Sequence, residues 1–245
     1  MSEQKETFRD TLLKGEFVDV YFKQVVPVIN ECFSRALKTK EYDFFLEGDE
    51  KEQKIKKLFN YFNQLNNVVE DLEKTLVFIK IPDHSKISES FPEFENTETY
   101  YNYFIENYII RINSLSDILG KILNLLYMTE IDKPNLYLFR NKIHKEFPEL
   151  NTKILALAEK IKITKDKRHE KLHEGSTEFE YLKSVVFWND LHTLMKEEAP
   201  AILKKTTQEG LDQMAKNISA EIEEYVILVR DILNISVVKL NEYLV

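Results

Sequence analysis

Only one cysteine, Cys32, stands in the 245 residues, so the chain can build no disulfide framework of its own, and a reducing compartment is the expected setting. Glycine (five) and proline (six) are scarce as well. A fold of many short strands needs positive-φ glycines and proline corners at its turns, and this chain has few of either. No apolar run approaches the roughly 20 residues that span a bilayer. The opening Met1-Ser2-Glu3-Gln4-Lys5-Glu6 is charged and leads into no apolar segment of the secretory kind. A cytoplasmic protein with no membrane partner is therefore expected. A basic surplus is missing too: 34 Lys and Arg stand against 42 Asp and Glu, a net charge of −8. Proteins that coat nucleic acid by counterion release carry the opposite sign, so any RNA contact must use a local basic patch. A domain of this length buries roughly three quarters of its unfolded surface, enough to fold without a structural metal.

What is present reads as helix. Apolar residues recur three and four apart through long stretches rich in Leu, Ile, Lys and Glu. The pattern predicts helices over residues 16–38, 51–78, 97–129, 136–147, 149–161, 178–198 and 206–244. Pro27 is expected to kink or break the first of these. Residues 41–50 and 82–92 read as connectors. The expected fold is all-α, an antiparallel bundle of long helices with an N-terminal helical extension. Residues 1–95 are assigned to that extension and 96–245 to the main helical domain. No repeat or linker marks a firm boundary, so one continuous domain is the alternative.

The chemistry concentrates in Lys167-Arg168-His169-Glu170-Lys171-Leu172-His173-Glu174-Gly175, which fits two patterns. His169-Glu170-x-x-His173 places two histidines four apart on one helix face, where they can ligate zinc with Glu170 as general base. That reading needs a third ligand, for which His192 and Glu197 are the candidates, and a zincin helix usually lies beneath a sheet, which this sequence does not supply. The second pattern is Arg168-His169-x-x-x-His173. Within an all-helical chain this resembles the signature of the HEPN superfamily: Arg, then Asn, Asp or His, three variable residues, then His. The resemblance covers roughly residues 97–240.

The resemblance implies a metal-independent endoribonuclease, with no cofactor, that works as a homodimer with the site shared across the interface. It also implies an RNA substrate, a toxin or defence role, and a regulatory or antitoxin protein as a possible partner. On that reading Arg168 and His173 are catalytic and His169 assists. The residue chemistry is compatible: histidine titrates near working pH and can move protons to and from ribose oxygens. A permanently charged guanidinium suits the negative charge that gathers on phosphate oxygens. Lys165, Lys167 and Lys171 make the segment basic and are the expected RNA contacts.

Other residues rank lower. Arg111, Ser114 and Asp117 belong to a polar stripe on the 97–129 helix; they are candidates for orienting a histidine, or simply its solvent face. Arg140-Asn141-Lys142-Ile143-His144 is one residue short of the motif and reads as a structural i, i+4 pair. Cys32, on an apolar helix, reads as packing, Trp188 as core, and the isolated His84 and His192 receive no role. A non-catalytic binding and dimerisation module of the same family remains the alternative function, with the zinc hydrolase as a second.

Overall fold

A computed structural model describes residues 6–40, 44, 48–81, 87, 89–94, 97–174 and 201–245, with the backbone alone at 94, 97, 98, 165, 167–174, 201–204, 206 and 207. The chain is all-α, and the described residues contain no strand. The helices are α1 (Phe8–Leu12), α2 (Glu16–Thr39), α3 (Glu50–Ile79), α4 (Thr97–Leu126), α5 (Leu136–Ile143), α6 (Pro148–Glu174), α7 (Ala201–Ile235) and α8 (Val237–Leu244), with a 3₁₀ turn at Pro92–Phe94. Most long helices begin and end close to where the apolar periodicity does. The predicted 178–198 helix, with Trp188, His192 and Glu197, lies outside the described residues, as does His84.

Two compact units form. The first comprises Met1–Glu70, Asn113–Glu159 and Tyr225–Val245. Here α2 and α3 run antiparallel: Tyr21 packs its ring 4.3 Å from that of Phe62, and Arg35 farther along α2 pairs with Glu52 nearer the start of α3. Phe17, Tyr21, Val25 and Ile29 form the buried stripe of α2, as their spacing predicts, and Cys32 extends it. Cys32 is indeed packing: burial pushes its thiol above the ordinary range, so little reactive thiolate forms. Phe33, four residues on from Ile29, is 42% exposed.

Pro27 does not break α2, which stays helical on both sides of it. Proline deletes one backbone hydrogen bond and crowds the preceding turn, but Val25 and Ile29 are both fully packed and hold the flanking turns. Each such side chain contributes on the order of 2 kcal/mol by leaving water.

Two predicted boundaries move. α5 stops at Ile143 rather than 147, because Phe147 precedes Pro148 and that position disfavours helix. The chain turns there through hydrogen bonds from Glu146 and Phe147 N–H to the Ile143 carbonyl. The last predicted helix divides at Ser236, which is fully buried. Its hydroxyl donates to the Ile232 carbonyl at 2.9 Å and its N–H to that of Leu233, so the final turn of α7 tightens before α8 begins. The short α1 escaped the sequence reading, although Thr7 and Asp10 form a reciprocal capping box at its start.

The second unit comprises Asp71–Ile112 and Lys160–Glu224. Arg111 reaches Asp71 at 3.2 Å, and seven residues along each helix in opposite senses Phe104 stacks on Phe78 with centroids 4.7 Å apart. The two segments are therefore antiparallel. Tyr100 and Tyr101 are fully buried, and their hydroxyls donate to the carbonyls of Phe78 and Ile81 at 3.0 and 2.7 Å. Buried phenols keep a partner in this way, and the bonds hold the C-terminal end of α3 against the start of α4.

Candidate functional site

Arg168, His169 and His173 all stand on α6, near its C-terminal end. The predicted helix ended at residue 161 with a short polar lead-in to the motif; the observed helix continues without interruption to Glu174. The sequence permits this physically. Neither glycine nor proline occurs between Pro148 and Gly175, and straight-chain Lys, Glu and Leu dominate, which lose little freedom in a helix. Ile161 and Thr164 are buried and extend the stripe begun by Leu150, Ile154 and Leu157 at steps of four and three. The Thr164 hydroxyl donates back to the Lys160 carbonyl.

A regular helix through the motif fixes backbone relationships. Residues 169 and 173 share a face, about 40° apart around the axis, whereas 168 and 173 stand about 140° apart. Lys165, Lys167 and Lys171 occupy the same last turns, where the partial negative charge of a helix C-terminus favours cations. The side chains of Lys165 and of residues 167–174 lie outside the described residues.

Upstream of the motif the second unit ties its helices through α7. Lys160 forms an ion pair with Glu224, and Tyr108, buried on α4, donates its hydroxyl to Glu221 at 2.7 Å. Lys160 thus has a carboxylate of its own, while Lys162, two residues on, is exposed. Neither α7 carboxylate was singled out from the sequence. The available signal was weak, since acids scattered along an amphipathic helix usually face solvent.

The polar stripe of α4 divides among different tasks. Arg111 is engaged by Asp71, whose other oxygen accepts from Lys74 at 3.2 Å. Ser114 is half-buried and Asp117 exposed, and both belong to the first unit, whereas Arg111 and the motif belong to the second. Lys121 lies over the ring of Tyr61. Asn124 closes the loop after α4: its Oδ1 accepts from the Thr129 hydroxyl at 2.5 Å and the Ile131 N–H at 3.0 Å. Much of the stripe therefore joins elements instead of facing water.

Arg140 Nε donates to Asn151 Oδ1 at 3.0 Å, which links α5 to α6, and His144 Nδ1 lies 2.9 Å from the Asn141 carbonyl. Both roles are structural, as the spacing argued. Among the described residues no group of three or more His, Cys, Asp and Glu side chains could hold a metal ion, and no helix is long and apolar enough to cross a membrane.

A family model described as Cthe2314-like HEPN matches residues 61–241, well over half of the chain, and this stretch includes the whole Arg168–His173 motif. No curated protein and no solved structure matches. With an all-helical fold and a match over that length, the chain belongs to the HEPN family.

Proposed function

We propose that this HEPN protein is a metal-independent endoribonuclease whose site is built around Arg168 and His173. The observation that carries the proposal is the intact Arg168-His169-x-x-x-His173 pattern inside the family-matched region. In the reaction, the ribose 2′-oxygen attacks the adjacent phosphorus and the P–O5′ bond breaks. The products are a 2′,3′-cyclic phosphate and a free 5′-hydroxyl. A base removes the 2′-proton and an acid delivers one to the departing 5′-oxygen. His173 serves this proton traffic, because histidine as a residue type can take and give a proton near working pH. Arg168 stabilises the charge that builds on the non-bridging oxygens. His169, on the face of His173, orients or polarises it.

The helical backbone through the motif bears on the assembly. Positions about 140° apart on one regular helix do not converge on one phosphate easily, which supports a homodimer in which Arg168 and His173 of different protomers meet. Lys165, Lys167 and Lys171 supply a local positive field within an acidic chain and hold the RNA backbone. Arg111, Ser114 and Asp117 are proposed as supporting residues. The protein acts in the cytoplasm as a toxin or defence effector, under control of a partner protein.

The same backbone favours one second reading. His169 and His173 at i and i+4 on a regular helix are spaced to ligate zinc, with Glu170 as base. The deciding experiment is cleavage of labelled structured and unstructured RNA in excess EDTA, by wild type and His173→Ala. Cleavage that survives chelation and vanishes in the variant is the expected result. Activity that chelation abolishes, together with stoichiometric zinc in the purified protein, transfers the assignment to the metal site. A folded dimer that binds RNA and cuts nothing in either condition is a binding module.

A further inference from the structure

We propose that an RNA strand lies along the seam of α6 and α7 level with the motif, held by Lys216 of α7 together with Lys167 and Lys171 of α6, where α7 carries amides in place of carboxylates. The identity of the ligand rests on the ribonuclease reading. Two ion pairs set the register of the seam. Lys153 pairs with Asp231 at 2.8 Å, and Lys160 pairs with Glu224. The second pair lies seven residues farther along α6 and seven residues back along α7, so the two helices run antiparallel. Steps of seven and eleven residues come to nearly two and nearly three turns, and return to the same face within about 20°. Both helices are unbroken through the turns that follow. They also stay packed there: Ile161 and Thr164 on α6 are buried, as are Met214, Ile218 and Ile222 on α7.

Counted on from Lys160 and Glu224 by seven, position 167 stands level with Asn217; counted on by eleven, position 171 stands level with Gln213. All four belong to the second unit. The rungs that α7 supplies thus change from carboxylate to amide where the motif begins. Asn217 and Gln213 are exposed, and Gln213 Nε2 donates to Asn217 Oδ1 at 2.9 Å, so the two amides engage each other along α7. No acid occurs on α7 from Gln213 to Ala220, whereas Glu221, Glu223 and Glu224 follow at once. Over the matching stretch of both helices, Lys165, Lys167, Arg168, Lys171 and Lys216 are set against Asp166 and Glu170. An amide at these rungs keeps the surface polar without cancelling the positive charge that a phosphate needs. Lys216, exposed and next to Asn217, adds a cation from α7 itself.

The test uses the full-length chain with His173→Ala as parent, so that RNA stays intact, and a short fluorescein-labelled single-stranded oligoribonucleotide. Fluorescence anisotropy gives the affinity over a series of salt concentrations. Asn217→Asp is expected to weaken binding about ten-fold and Lys216→Ala about three-fold. Each should lower the slope of log affinity against log salt by about 0.7, the contribution of one phosphate contact to a single strand. Thr152→Asp adds the same charge fifteen residues back along α6 from position 167, about 22 Å away, and should change affinity by less than about two-fold. In a Lys167→Ala background Asn217→Asp should cost far less, because the charge it cancels is already gone. If Asn217→Asp and Lys216→Ala, both folded by circular dichroism, bind as the parent does, the seam is not the RNA surface. A loss in Thr152→Asp as large as that in Asn217→Asp overturns it too. In either case, cleavage by the wild-type chain leaves the ribonuclease reading standing. A cost of Asn217→Asp that is unchanged without Lys167 overturns the register. If the parent binds no RNA and the wild-type chain cuts none, the seam falls together with the ribonuclease reading.

Discussion

Asn234 Oδ1, near the C-terminal end of α7, accepts a hydrogen bond from the backbone N–H of Phe17 at 3.1 Å, across 217 residues of chain. It supplies α2 with the cap that the sequence does not. The N-cap position is Gly15, which has no side chain to offer and sits at φ +111. A Cβ at Gly15 would lie 2.3 Å from Asn234 Nδ2, so the glycine also makes room for the donated cap. Asn234→Ala is expected to lower stability by about 1–2 kcal/mol, read as a shift in the urea midpoint at neutral pH. Asn234→Asp should retain most of it, since a carboxylate still accepts and suits a helix N-terminus. Equal midpoints for wild type and Asn234→Ala would mean that water replaces the cap at no cost.

Gly120 sets two known effects against each other. Inside an exposed helix, glycine to alanine gains about 1 kcal/mol of helix propensity. At this position, however, an added Cβ would come within 2.4 Å of the Asn135 carbonyl carbon and the Leu136 nitrogen. Both are backbone atoms at the start of α5, and Asn135 is fixed there as its cap, accepting from the Leu138 N–H at 2.9 Å. Overpacking against atoms that cannot rotate away costs typically 1–3 kcal/mol, so the balance is expected to be negative. Gly120→Ala should unfold earlier in denaturant than wild type, and a more stable variant would show that α5 shifts freely.

These cases mark what the sequence could reveal. Helix type and approximate extent were legible because apolar spacing reports burial directly, as the matches for α2, α3 and α4 show. Cross-chain caps such as Asn234 were not legible, since nothing local distinguishes that asparagine from a solvated one. The length of α6 was misjudged because a run of lysines resembles a loop, yet Ile161 and Thr164 continue the buried stripe. At the motif the residue types were plain from spacing alone. The engagement of Arg111 by Asp71 was not, because a helix-to-helix ion pair leaves no local pattern.

Asp231 makes a pH-dependent contribution to folding. Burial raises its pKa, but hydrogen bonds from Lys153 and Arg230 and their charges outweigh that, and the carboxyl is held below its ordinary value of 3.8. Lys153 donates to it at 2.8 Å and Arg230 at 3.0 Å. A folded-state pKa below the unfolded one stabilises the fold above the unfolded value, and the benefit disappears as pH falls through the folded value. Asp231→Asn should therefore cost up to about 1 kcal/mol at pH 7, the pair being partly solvated. The gap to wild type should close as the pH drops below about 4. Urea titrations at a series of pH values measure it, and a gap that persists in acid would point to lost packing instead.

Whether Arg168 and His173 act within one protomer or across two can be read from a mixture of inactive proteins. Their positions, about 140° apart on a regular helix, favour a site that draws the arginine from one copy and the histidine from the other. Arg168→Ala and His173→Ala are each expected to lose cleavage, by at least a hundred-fold for the histidine if it carries general acid or base duty. Arg168→Lys should recover little, because a point charge does not replace the fork that meets two phosphate oxygens. When the two alanine variants are unfolded together and refolded as a mixture, half of the dimers carry one of each. In such a heterodimer one shared site loses both groups and the other keeps both. Activity near a quarter of the wild-type rate is then expected. A mixture as inactive as its components, with heterodimers verified by differential tagging, would place both residues in the same protomer's site. The helix would then have to bend, or the arginine wrap around it, for catalysis to occur.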